Sequence, residues 1–209
     1  MRTPPSASAS VRSAVVRVAV VSAAIQIGYG VLAIVLPYPQ ITADRYEWIW
    51  GVLNLGMAAA VWGWLRLDVA RPARVAAVAA VVAVSGHVLR ALLSAVAIVR
   101  PRFDVEPFIV VAIGLMFSGM VALALCSLHS GRSMGWKRWS PMGVAVIGMI
   151  AAGFYSTYPI VHFILLGLLW GPAWLLLSVV IAQENAKAGS KRIPPYPDRP
   201  DYVVTGTVR

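Results

Sequence analysis

His87 and Arg90 lie three positions apart inside a long apolar segment and form the most distinctive chemical pattern of this sequence. In a helix this spacing places both side chains on one face, about 60° apart, and Ser94 follows on that face one turn later. Arginine offers paired N–H donors that match the oxygens of a carboxylate or a phosphate. The pattern therefore predicts an anion-binding site on one apolar helix.

Three more polar residues, Gln26, Asn54 and His162, occur within apolar segments. Polar groups are costly inside a bilayer, so each is a candidate functional residue. Arg90 and Gln26 both lie about 15 Å from the outer end of their segments, the end opposite the chain termini. We expect Asn54 and His162 to lie nearer the outer surface. Together the residues predict one polar pocket in the outer half of the membrane, which binds or transports an anionic lipid or small molecule. Its residues are Gln26, Asn54, His87, Arg90, Ser94 and His162.

A charged guanidinium at that depth needs a partner, and the predicted spans contain no Asp or Glu. The partner would then be water, backbone carbonyls, an anionic ligand or a carboxylate on a second subunit. The last case describes a structural or accessory subunit of a membrane complex. In another interpretation, the segment ends near Ser94, Arg90 extends to the interface, and His87 is a packing residue.

Metal and cofactor chemistry finds little support in the sequence. A membrane haem is held by histidines on facing helices, and only His87 and His162 lie within predicted spans. Their expected depths differ by more than about 10 Å. We therefore predict neither a cofactor nor a metal site.

Ser118 and His162 raise a catalytic alternative. Ser118 stands in the stretch 116–119 (MFSG) on the predicted fourth span, and His162 lies on the sixth. A serine on the fourth and a histidine on the sixth of six helices resembles the rhomboid intramembrane proteases, whose serine sits in Gly-x-Ser-Gly. The resemblance implies a Ser118–His162 dyad and hydrolysis within the membrane. Met116 replaces the first glycine of that motif, and we expect a protein that is not an enzyme.

The composition decides the class of protein. The chain has 209 residues, of which 59% are hydrophobic and 12% are charged, whereas soluble domains carry about twice that charged share. A membrane span needs about 20 mostly apolar residues. The sequence predicts an all-α bundle of six transmembrane helices. The predicted spans are about 18–36, 48–65, 75–99, 108–128, 142–156 and 160–182.

The charges indicate how the bundle is oriented. The net charge is +10, and 14 of the 18 Lys and Arg residues lie in the termini and in the loops after spans two and four. This clustering beside apolar segments predicts cytoplasmic termini and argues against nucleic acid as a partner. We expect residues 1–12 to be a disordered N-terminal segment, 13–182 the transmembrane domain, and 183–209 a flexible Pro-rich tail.

The first apolar segment also has features of a signal peptide, with small residues at 21–24. It continues to Leu36 and is long enough to span, so we interpret it as a retained helix. The single cysteine, Cys126, excludes an intramolecular disulfide and leaves the redox compartment open. The high Ala, Val and Arg content is typical of a GC-rich bacterial genome, which predicts a bacterial plasma membrane protein.

Overall fold

The computed structural model of the protein describes residues 7–36, 43–130, 134–155 and 157–190. Within these ranges every regular element is helical, which confirms the all-α prediction. The helices are α1 (Ala7–Val35), α2 (Ala43–Leu65), α3 (Ala73–Val99), α4 (Glu106–His129), α5 (Ser140–Gly153), α6 (Pro159–Leu165) and α7 (Gly171–Ser190). A 3₁₀ turn, Gly135–Trp139, precedes α5, and a π-helical turn, Leu166–Trp170, joins α6 to α7.

Five stretches of the described residues are long and apolar enough to cross a membrane. They are Ser13–Val35, Glu47–Leu65, Ala73–Val99, Glu106–His129 and Pro159–Lys187. These match predicted spans one to four and six, so the chain has the character of a multi-pass membrane protein. The predicted fifth span coincides with α5, which has 14 residues. At about 21 Å it is shorter than the hydrocarbon layer of about 30 Å.

Two helices extend past the predicted domain boundaries. Helix α1 begins at Ala7, inside the segment 1–12 that was predicted to be disordered, and α7 continues to Ser190, beyond the predicted boundary at 182. Both extensions are rich in Ala and other residues that tolerate a helix, so nothing in their composition stops the helix at the membrane surface. The Pro-rich centre of the predicted tail lies outside the described residues.

The π-helical turn explains how the last span accommodates Pro172. Proline has no backbone N–H and disrupts a helix interior, but it is tolerated in a first helical turn. Here the N–H of Gly171 donates to the carbonyl of Leu166, five residues back. The helix continues from this π-helical turn into α7, where Pro172 is the second residue and so lies in the first turn.

Small residues bring α1 against the last span. A Cβ on Gly30 would overlap the backbone of Gly167, so the two backbones touch. One turn along, a Cβ on Gly171 would lie 2.8 Å from Cγ1 of Ile27 and 3.3 Å from Cγ of Gln26. The G-x-x-x-G pattern formed by Gly167 and Gly171 thus packs inside the bundle, where it seats Gln26 against α7.

Two basic loops meet at one end of the bundle. The N–H of Arg71, in the loop after α2, donates to the carbonyl of Cys126 near the end of α4, at 2.9 Å. In the loop after α4, Nζ of Lys137 donates to Oε1 of Gln183 in the last turns of α7, at 2.8 Å. The ends of α2, α4 and α7 therefore lie together, which places the start of α2 and the end of α3 at the opposite end of the bundle.

Candidate functional site

Arg90 lies inside the bundle and pairs with a carboxylate of the same chain. Its two terminal nitrogens, Nη1 and Nη2, donate to Oε2 and Oε1 of Glu47 at 2.9 and 3.0 Å. Nη1 also donates to Oγ of Ser94, one turn further along α3, at 2.6 Å. All three residues are buried. The two-point geometry is the strong form of an arginine–carboxylate pair.

The sequence-based expectation that no carboxylate of this chain reaches Arg90 is wrong. Span two was predicted to begin at Trp48, which left Glu47 one residue outside it. The helix in fact begins at Ala43, so Glu47 is a helical residue that faces α3. The bond to Ser94 shows that the Arg90 side chain extends along α3 towards its C-terminal end. Its charge therefore lies nearer that end of the bundle than its backbone does.

A second polar contact lies one turn deeper, between His87 and Asn54. Asn54 Nδ2 donates to the carbonyl of Trp50 at 2.9 Å, which leaves its Oδ1 for Nδ1 of His87, also at 2.9 Å. Because an amide oxygen only accepts, this Nδ1 carries a proton and donates. In the uncharged imidazole, Nε2 then keeps its lone pair and is an acceptor.

Gln26 and Trp174 complete this inner cluster. Gln26 is fully buried, and neither atom of its amide has a hydrogen-bond partner among the described residues. The same holds for Nε1 of Trp174 and for Nε2 of His87. The rings of His87 and Trp174 pack edge to face with centroids 5.5 Å apart. Gln26 contacts α7 at Gly171, one turn before Trp174.

We call these four residues the central polar group; its members are Gln26, Asn54, His87 and Trp174. Each lies within about two residues, or about 3 Å, of the middle of its candidate span. Asn54 thus shares the depth of His87, whereas the sequence led us to expect it nearer the surface. The group lies near the middle of the candidate spans, and Glu47, Arg90 and Ser94 lie nearer the end of the bundle that holds the start of α2 and the end of α3.

His162 does not join the other predicted site residues. Its Nδ1 bonds to the carbonyl of Ala151 on α5 at 2.7 Å, and its ring packs edge to face on Tyr155 and Phe163. The other five predicted site residues lie in two neighbouring sets. Gln26, Asn54 and His87 belong to the central polar group, and Arg90 and Ser94 form the second set together with Glu47. His87 and His162 are held by different helices, α2 and α5 respectively.

Ser118 and His162 have separate hydrogen-bond partners. Ser118 is exposed on the flank of α4, and its hydroxyl donates to the carbonyl of Leu115 at 3.3 Å. His162 bonds to α5 as described above. Neither of these bonds joins the serine to the histidine in the nucleophile–base contact that a hydrolase needs.

Sequence reasoning missed two functional candidates, Glu47 and Trp174. Glu47 carried a signal, because a carboxylate beside a predicted span can enter the helix when the span starts one turn earlier. Trp174 carried one as well. Its indole lies at the middle of a span, away from the interfaces where membrane tryptophans concentrate, and an indole N–H buried there needs an acceptor.

An open groove of about 560 Å³ lies at the opposite end of the bundle from Arg90. It is lined by Arg71, Pro72, Leu125, Cys126, Leu128 and His129. Neither the central polar group nor the set Glu47, Arg90 and Ser94 contributes a residue to this groove. The polar chemistry and this groove are therefore separate features.

Comparison of the chain with protein-family models, with curated proteins and with solved structures finds no match.

Proposed function

We propose that this chain is a six-span membrane protein that binds the carboxylate or phosphate of an anionic lipid or small molecule at Arg90, from the outer side. The buried two-point pair of Arg90 with Glu47 is the observation that carries the proposal. A guanidinium that holds the Glu47 carboxylate by two bonds has the geometry to hold the carboxylate or phosphate of a ligand in its place.

Binding would proceed by exchange. Glu47 lies in the second turn of α2, close to the outer end of the bundle, where a small helix displacement moves it away from α3. An incoming anion would take over the two Nη donors and the neutralising role, so that Arg90 is never left unpaired in the bilayer. Ser94 would remain as the fixed acceptor that keeps the guanidinium aimed outward.

The proposal includes α5 as a crossing helix. At its start, Lys137 contacts Gln183 near the end of α7, and near its end, Ala151 contacts His162 on α6. These contact points on the last span are separated by roughly 20 residues, or about 30 Å of helix, which equals the hydrocarbon thickness. The 3₁₀ turn Gly135–Trp139 supplies the length that α5 lacks.

Six spans put both termini on one side of the membrane. The end of the bundle that gathers Arg71 and Lys137 carries the basic loops, and the positive-inside rule assigns that end to the cytoplasm. Glu47 and Arg90 then open towards the outer side. In a bacterial cell this membrane would be the plasma membrane.

The test uses the full chain in phosphatidylcholine nanodiscs, titrated with succinate or inorganic phosphate at constant ionic strength. A second series replaces part of the lipid with phosphatidylglycerol, which distinguishes a lipid phosphate from a soluble anion. The readout is the unfolding temperature, because a ligand at 100 times its Kd stabilises by about 2.7 kcal/mol. The variants are Glu47→Gln, which removes the competing charge, Arg90→Gln, and the control Arg71→Gln from the exposed pair with Asp68.

We expect Glu47→Gln to bind the anion about tenfold more tightly than the unaltered chain, and Arg90→Gln to lose the response. Arg71→Gln should behave as the unaltered chain does. If Glu47→Gln and Arg90→Gln respond to the anions equally, the proposal fails. The Arg90–Glu47 pair would then be a structural element of the bundle, as in an accessory subunit.

A further inference from the structure

We infer that Gln26, His87 and Trp174 form a second binding site, at the membrane midplane, which holds an uncharged hydroxyl group supplied by water or by a small hydroxyl-bearing molecule. This inference does not rest on anion binding at Arg90. It rests on different side chains, deeper in the bundle, and on their unused hydrogen-bonding atoms.

The first argument is burial without partners. Gln26 is 0% exposed, His87 1% and Trp174 2%. Four of their polar atoms, Nε2 and Oε1 of Gln26, Nε2 of His87 and Nε1 of Trp174, lack a hydrogen-bond partner among the described residues. A buried donor or acceptor without a partner costs about 1–3 kcal/mol, and no lipid or bulk water reaches this depth to relieve that cost. His87 and Trp174 pack ring against ring, and Gln26 packs at Gly171, one turn before Trp174, so we assign these atoms to one shared guest.

The second argument is the match between these atoms and one kind of guest. Trp174 offers only a donor, and His87 offers only an acceptor at Nε2, because Asn54 fixes the proton on Nδ1. Gln26 offers both a donor and an acceptor. A bound anion would be repelled by the lone pair on Nε2 of His87, and a bound cation would be repelled by the indole N–H of Trp174. A hydroxyl group, which donates once and accepts twice, can bond to three of these four atoms, and a water molecule, which donates twice and accepts twice, can bond to all four.

The third argument is the local backbone. The helix beside Gln26 contains the π-helical turn Leu166–Trp170, which runs directly into α7 at Gly171. Such turns are frequent at functional sites. Gly171 has no side chain, and a Cβ there would press on Gln26 at 3.3 Å. The missing side chain at Gly171 therefore gives Gln26 its place beside α7, one turn before Trp174.

Asn54 acts as a positioning residue for this site. It contacts the far side of the His87 ring, and its own Nδ2 is held by the carbonyl of Trp50. The chain from Trp50 through Asn54 to His87 thus orients the Nε2 lone pair and selects the tautomer. Without Asn54, the proton could move to Nε2, and the site would change from accepting to donating.

The experiment is nitrogen-15 NMR of the full chain in lipid bilayers with only the histidines labelled. The chain has 3 histidines, and the single variants His129→Gln and His162→Gln assign the remaining signals to His87. The nitrogen shifts report which ring nitrogen is protonated and whether Nε2 accepts a hydrogen bond. Magnetisation transfer from water protons reports whether water is the donor.

We expect His87 to be protonated at Nδ1 and to accept a hydrogen bond at Nε2. Transfer from water identifies water as the guest. A hydrogen-bonded Nε2 without that transfer identifies a retained hydroxyl compound, which native mass spectrometry then weighs. Gln26→Leu and Trp174→Phe should shift the Nε2 signal towards that of a free lone pair. The matched control is Trp170→Phe, whose indole already donates to the carbonyl of Val144 at 2.8 Å.

Two outcomes overturn the inference. The first is a His87 that is protonated at Nε2. The second is an Nε2 with the shift of a free lone pair in the unaltered chain, unchanged by Gln26→Leu and Trp174→Phe. Neither outcome bears on Arg90, whose test measures stabilisation by anions, so the two proposals fail independently.

Discussion

The carboxylate of Glu47 and the guanidinium of Arg90 face each other between α2 and α3, joined by two hydrogen bonds of 2.9 and 3.0 Å. This pair neutralises the only Arg or Lys that the predicted spans contain. It also fixes the register between the start of α2 and the second half of α3, where a displacement of one turn along either helix would separate the two charges. The pair thus joins α2 to α3, and it is also the place where a competing anion would bind.

The first prediction concerns the energy of this pair. Arg90→Gln or Glu47→Gln alone leaves one charge buried without its counterpart, and breaking such a pair costs about 3–5 kcal/mol. The double variant removes both charges and should recover most of that loss. Reversible unfolding of all four proteins in mixed micelles measures the coupling. The pair Arg71–Asp68 is exposed to solvent and, tested in the same way, should show a much weaker coupling than the buried pair. Additive losses for Arg90 and Glu47 would contradict the prediction.

The second prediction concerns Asn54 and His87. Asn54→Leu removes the acceptor of the His87 Nδ1 proton, so each single replacement by leucine should destabilise the bundle, and the double variant N54L/H87L should be less unstable than the sum. Couplings between membrane helices average about 0.6 kcal/mol and reach about 1.7, and we expect a value in that range. The control is Ser178→Ala, since the bond that the hydroxyl of Ser178 makes among the described residues lies within its own helix, to the carbonyl of Trp174. A coupling of zero would contradict the expected contact.

Hydrophobic runs and loop charges were enough to predict the helices, because a membrane span is specified by about 20 apolar residues regardless of its neighbours. The partners inside the bundle were not predictable in the same way. The side chain of Glu47 is buried because α2 begins at Ala43, five residues before the predicted span. The depth of Asn54 depends on the axial offset between α2 and α3. Such offsets depend on tertiary packing, which a single sequence does not encode locally.

The same reasoning applies to Gly167 and Gly171. A G-x-x-x-G spacing by itself allows close helix packing either within one bundle or between two chains. The contact with Gly30 and Ile27 requires α1, a helix more than a hundred residues away along the chain. Only the assembled bundle determines which helix a small-residue surface meets.

The third prediction compares two glycines of α1. Gly30→Ala would place its Cβ against the backbone of Gly167, so α1 and the last span must separate, and overpacking of this kind costs about 1–3 kcal/mol. Gly28→Ala, two positions away, meets nothing within 4 Å. Alanine is the better helix former, so Gly28→Ala should be neutral or stabilising by up to about 1 kcal/mol. Unfolding temperatures in one detergent decide the matter, and equal effects of the two replacements would rule out the close contact.

The fourth prediction decides between five and six spans. With five crossings the two termini lie on opposite sides of the membrane, whereas a crossing α5 puts both in the cytoplasm. We expect green fluorescent protein fused after Arg209 to fluoresce and alkaline phosphatase at the same place to be inactive, since each reporter works on one side only.

Reporters fused in the loop between α3 and α4, after Phe103, should give the reverse pattern and serve as the internal control. A cysteine placed in the short connection after α5, at Thr157 in a Cys126→Ser background, should react with a membrane-impermeant thiol reagent added outside. Because α5 starts beside the inner end of α7 and finishes beside His162, these results should agree with each other. An active phosphatase after Arg209, together with an unreactive position 157, would mean that α5 turns back within the membrane.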